Sequence, residues 1–212
     1  MHAALISGKP SVSLEFYPPK GVPAHRALMT GAYALKRFAP AFQTVTFGAC
    51  GSATDGTFDI ATKLQALNDV PTACHIALCR FDRNSLQDYA GKLWEFGIER
   101  LVVLRGDATD GDGLKDFASV AVAVRLLKTW YPFDISVSAY PEVHPKAQSA
   151  DSDIDVLLEK QAAGADRAIT QYFFDDADFY RFRDRAEARG LRMPLVPGVI
   201  PIANFERIKG FS

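Results

Sequence analysis

"FDISVSAYPEVHP", residues 133–145, is the stretch whose reading decides the fold. It starts as a nearly continuous apolar run, the pattern of a strand covered on both faces. It ends in Tyr140, Glu142 and His144, interleaved with Pro141 and Pro145. One reading is a turn that closes a buried strand. The other is the rim of a site, because parallel α/β enzymes place their chemistry where strands end.

Six further stretches have the same character: "SVSLEFY" (11–17), "FQTVTFG" (42–48), "CHIALC" (74–79), "RLVVLRG" (100–106), "RAITQYFF" (167–174) and "PLVPGVIP" (194–201). Helical patterns separate them. In "LQDYAGKLWEFG", Leu86, Tyr89, Ala90, Leu93 and Trp94 recur at one-face spacing and Gly97 supplies the stop. Asp153 to Gly164 and Asp178 to Gly190 repeat the arrangement. Alternation of this kind, with no internal repeat and no long linker, predicts a parallel α/β fold in one domain over residues 1–212.

A barrel and a doubly wound sheet both fit that alternation. No GxGxxG follows the first strand, which argues against a dinucleotide-binding doubly wound fold. Glu15, Thr46, Asp107, Tyr140, Glu142 and Gln171 all fall in or just past the C-terminal half of a strand, as in TIM-type barrels. A closed barrel has eight strands and about 250 residues. Seven strand patterns in 212 residues therefore predict a barrel without its last strand and helix, the final "NFERIKGFS" being read as a seventh helix.

With 48% hydrophobic and 23% charged residues the chain can bury an ordinary core. A net charge of -1 gives no electrostatic reason for a nucleic-acid or anionic-membrane partner. Three cysteines without a CxxC pair make a poor disulfide framework, the N-terminus lacks a secretory leader, and no run is long enough to span a membrane. A cytoplasmic location is the expectation. Without HExxH, HxH or a nearby acid at ligand spacing, no metal site is expected.

Two readings fit Glu15 in "LEFYPPKG". Desolvation between Leu14 and Phe16 would raise its carboxyl toward general-acid use, or a neighbouring Arg or Lys would hold it for structural reasons. Asp107 in "LVVLRGD" either accepts hydrogen bonds from a heterocycle beside Arg105 and Gly106, or makes an Arg–Asp turn at a helix start. His75 and His144 read as hydrogen-bonding side chains, and the cysteines as small apolar ones. The arginines of "RFRDRAEAR" are balanced by acids on a solvated helix face.

Taken in order, "LEFYPPKG", "VTFGACGS", "CHIALC", "GIERLVVLRGD", "FDISVSAYPEVHP", "AGADRAITQYFFD" and "VPGVIPIANFERIKGF" resemble the flavin-dependent 5,10-methylenetetrahydrofolate reductases. The resemblance implies a (βα)8 barrel holding FAD at its strand C-termini. NADH or NADPH reduces the flavin, which then reduces methylenetetrahydrofolate to 5-methyltetrahydrofolate in a ping-pong sequence, a step of one-carbon metabolism toward methionine. It assigns Glu15 as general acid and Asp107 to tuning the flavin and orienting substrate. Flavin contacts fall on Thr46, His75, Arg105, Gly106, Asp107, Ala118, Tyr140, His144, Asp153 and Lys160, with Lys160 and Arg105 as positive partners of pyrophosphate and ring. Gln171 and Phe211 match substrate contacts.

The family commonly associates, so a homo-oligomer is expected. Phe117, where many relatives carry Tyr, and Arg207, where a Gln is frequent, depart from the pattern. Together with the missing last unit they keep a non-catalytic or flavin-free folate-binding relative as the alternative.

Overall fold

The computed structural model describes residues 11–47, 53–106, 114 and 116–202. Each predicted apolar stretch carries a strand: β1 (Ser13–Phe16), β2 (Phe42–Val45), β3 (Thr72–Ala77), β4 (Arg100–Leu104), β5 (Asp134–Ala139), β6 (Arg167–Tyr172) and β7 (Leu195–Gly198). The helices between them are α1 (Val22–Leu35), α2 (Ala53–Asn68), α3 (Arg83–Glu95), α4 (Val120–Trp130), α5 (Ala150–Ala162) and α6 (Asp176–Ala188). All neighbouring strands pair in parallel, in chain order from β1 to β7. Among the described residues this is a TIM-type barrel lacking its last unit, with β1 and β7 as the two edges. The expected seventh helix lies outside them.

Period-two alternation divides each strand between two environments. Val45, Cys74, Ile76, Leu101, Val103, Ile135, Val137 and Ala168 face the helices and join Leu64, Leu86, Leu93, Val124, Leu127 and Ile154 in the main core. The opposite face points into the barrel, where Phe42, Ala73 and Val102 pack with Ile169. Full burial of such side chains contributes roughly 1.5–3 kcal/mol each, which is why the strands read as continuous apolar runs.

A charged cluster closes the floor of the barrel. Arg167 donates to Asp134 Oδ2 at 2.8 Å and to Ser136 Oγ at 2.9 Å, Arg100 approaches Asp134 at 3.3 Å, and both guanidiniums lie over the Phe42 ring. These side chains occupy the inner face at the N-terminal ends of β2, β4, β5 and β6.

Helix starts come earlier than the acidic residues suggested. Ser149 caps α5 through a reciprocal box with Ser152, and Asp175 caps α6 by accepting from Ala177 N, so the helices open at Ala150 and Asp176 rather than at Asp153 and Asp178. The basic face of α6 is not wholly solvated, because Arg189 reaches Asp155 and Asp151 on α5. Among the described residues no helix is long and apolar enough to cross a membrane.

Candidate functional site

The C-terminal ends of β1, β2 and β3 bring three predicted residues together. Glu15 pairs in register with Thr44, and continuing the β2–β3 register sets Thr46 beside His75 on the same inner face. His75 Nε2 lies 3.7 Å from Glu15 Oε2. Burial lowers the His75 pKa from 6.5 to about 3, so the ring is neutral and the contact is not an ion pair.

Glu15 keeps 43% of its side-chain surface, and partial desolvation at the strand end raises its pKa above the ordinary value. Among the described residues no Arg or Lys pairs with it. No cation among the described residues holds the carboxyl, and the direction of its shift is the one a general acid uses. Three buried polar atoms around it, Thr44 Oγ1, Thr46 Oγ1 and His75 Nε2, have no hydrogen-bond partner among the described residues. Buried polar atoms without partners are rare and call for an explanation such as a water or a bound group.

Arg105 is exposed at the end of β4, and its carbonyl accepts from Cys79 N at 2.9 Å. Gly106 has φ +81, and a Cβ there would meet Cys79 Sγ at 2.5 Å and Ala77 Cβ at 2.9 Å. Glycine is thus required by the packing of β4 on β3, a reason the sequence reading did not anticipate. Asp107 lies outside the described residues, as do Cys50, Arg207 and Phe211. Cys74 behaves as an apolar side chain: it is buried, and burial pushes its thiol up to about 12.

The stretch after β5 folds back onto α5. Tyr140 and His144 stack edge to face with centroids 4.5 Å apart, and His144 N donates to Asp153 Oδ2 at 2.9 Å. Lys146 N donates to His144 Nδ1. Val143 between them has φ +70, an uncommon conformation for a β-branched residue and a local strain held by this network. A cleft of about 210 Å³ borders Tyr140, Glu142 and Asp153 and extends to Arg181 and Arg185.

Lys160 is buried, and its ammonium donates to Ser138 O at 2.9 Å. Burial lowers its pKa from 10.5 to about 8, with Asp153 opposing the fall. Ala118 is exposed just before α4, whereas its neighbour Phe117 is 3% exposed within the helix-side core. Gln171 is exposed at the end of β6, where the β6–β7 register is irregular between Ile169 and Tyr172. Such an irregularity re-aims side chains at a strand end. Gly198 sits against it, its N–H donating to Thr170 Oγ1.

Thr44 was missed by residue-type reasoning, since a β-branched residue in an apolar run reads as packing. Its register with Glu15 was the available signal.

Comparison with known proteins bears on the whole chain. The methylenetetrahydrofolate reductase family model matches residues 1–212. The chain is 40% identical over 209 residues to a 5,10-methylenetetrahydrofolate reductase of Pectobacterium carotovorum, covering 99% of this chain and 70% of that protein. It is 38% identical over 209 residues to the enzyme of the same name from Escherichia coli, with the same coverage. Among solved structures, an uncharacterized Clostridium thermocellum protein described as binding two copies of 5-methyl-5,6,7,8-tetrahydrofolic acid superposes with a TM-score of 0.65. It is 11% identical and covers 98% of this chain and 72% of that one, a likeness that shows the fold alone.

Proposed function

The chain belongs to the methylenetetrahydrofolate reductase family, and from that premise we propose that it uses FAD to carry hydride from NADH or NADPH to 5,10-methylenetetrahydrofolate, yielding 5-methyltetrahydrofolate. The observation that carries the reading is Glu15: a carboxyl raised by desolvation, unpaired with any described cation, at the open end of the barrel. A general acid needs a pKa moved upward and an accessible face, and Glu15 has both. Glu15 donates its proton to the folate amine nitrogen whose release opens the five-membered ring.

The residues present fit a flavin. Thr46 Oγ1 offers an unused polar atom at the mouth, the His75 ring lies on the same inner face, and the exposed Arg105 supplies positive charge at the end of β4. Tyr140, His144, Asp153 and Lys160 extend along the β5–α5 side as holding residues, with Gly106 at the β4 end, Ala118 before α4, and Asp107 next in sequence to Gly106. When bound, FAD supplies the redox chemistry while the protein supplies position and electrostatics. Proline-bracketed Tyr140 and His144 lose little freedom on binding, because their turn is already set. Gln171 and Phe211 orient substrate. A cytoplasmic location accords with this reading.

An anaerobic two-step mix tests it. Flavin-loaded protein should bleach with NADH or NADPH and recover its colour on addition of methylenetetrahydrofolate. Protein that takes up no flavin, or that bleaches and is not reoxidised by the folate, would overturn the assignment.

A further inference from the structure

We propose that Thr44 is a positioning residue of this site: its hydroxyl, with His75 Nε2, holds an ordered water on the inner face of β2 and β3, hydrogen-bonded to the Glu15 carboxyl. The inference rests on the reading of Glu15 as the acid of the reductase reaction.

Three observations carry it. Thr44 is 2% exposed and its Oγ1 has no partner among the described residues, although buried hydroxyls are ordinarily satisfied. Its Cα is the register partner of Glu15 on one side and of Ala73 on the other, so its side chain shares the inner face with Glu15 and His75. His75 Nε2, also without a partner, stands 3.7 Å from Glu15 Oε2, too far for a direct hydrogen bond and within the span of one bridging water. A water there gains polar partners from Thr44, His75 and Glu15, within the usual number for a buried water.

The device has a use. In each turnover the Glu15 carboxyl gives its proton to the folate nitrogen and becomes a carboxylate. When the product leaves, Glu15 regains a proton from solvent at the open mouth, and the held water keeps the carboxyl in position throughout. Thr44 contributes no proton to the substrate; it holds the water in line.

The test is Thr44→Val, which removes the hydroxyl at nearly constant shape, with Thr44→Ser as the conservative partner. A hydroxyl serving only as packing predicts that T44V melts no lower than wild type and reacts normally. The proposal predicts equal or higher Tm and unchanged flavin reduction by NADH, but reoxidation by methylenetetrahydrofolate at least about tenfold slower, since a misplaced acid loses much of its effect. T44S restores most of that rate.

A second readout needs no flavin. In carboxyl-labelled apoprotein, with E15Q identifying the resonance, Glu15 should titrate at higher pH in T44V, because the carboxylate has lost its hydrogen-bonded water. T44V that reoxidises and titrates like wild type overturns the proposal. If wild-type protein itself fails the two-step mix, the reductase reading falls and the inference falls with it.

Discussion

Replacing Lys160 by Met should make the ligand-free protein more stable while weakening its flavin site. Burial has pulled the Lys160 pKa from 10.5 to about 8. At about 1.4 kcal/mol per pKa unit, the charged ammonium carries roughly 3 kcal/mol of destabilisation at pH 7. Met fills similar space without charge, but leaves Ser138 O without its donor, a loss of about 1 kcal/mol. The net gain is about 2 kcal/mol, or a Tm rise of about 4–8 °C for a domain of this size.

The pH dependence identifies the cause. The unfolded chain holds the Lys160 proton up to 10.5 and the folded protein releases it near 8, so the unfolded state binds more protons between those values. Wild-type stability therefore rises with pH through this window, and the advantage of K160M, complete below pH 8, fades by about pH 10.5. Thermal and urea melts of both proteins at pH 7 and at pH 10.5 provide the measurement. A variant less stable than wild type at pH 7, or one whose advantage does not change with pH, refutes the reasoning.

His75 works at the acid end: it is neutral in the folded protein down to about pH 3, whereas the unfolded imidazole charges near 6.5. Its contribution is present above 6.5 and is lost as pH falls toward 3, with a slope approaching about 1.4 kcal/mol per pH unit, and H75Q should flatten that part of the acid-denaturation curve. Gly106→Ala forces a Cβ against Ala77 and Cys79 at positive φ, so urea melts should show a loss of about 1–3 kcal/mol. Asp134→Ala strands the buried Arg167 guanidinium and should cost about 3 kcal/mol by the same assay, with R167M in the same chain recovering part of it.

Strands and barrel class were legible because burial on both faces writes itself as apolar runs, and because Glu15, Tyr140 and Gln171 stand where those runs end. Helix starts were misplaced because the deciding signals are the single caps Ser149 and Asp175, not the acids that follow. The barrel floor escaped notice: Arg100, Asp134 and Arg167 are far apart in sequence and are joined only by register. Lys160 was expected as a phosphate partner, and the folded chain shows it buried beneath Ser138 O, a contact no spacing rule reveals. The strain at Val143 is likewise invisible in a string of letters, since it arises from how His144 is tied to Asp153.

Glu15→Gln, with the two half-reactions followed separately by flavin absorbance, tests the central claim most directly. Gln keeps the shape but has no carboxyl proton to give. The account predicts flavin reduction by NADH or NADPH near the wild-type rate and reoxidation by methylenetetrahydrofolate slowed by at least about a hundredfold. Reoxidation at the wild-type rate would contradict it.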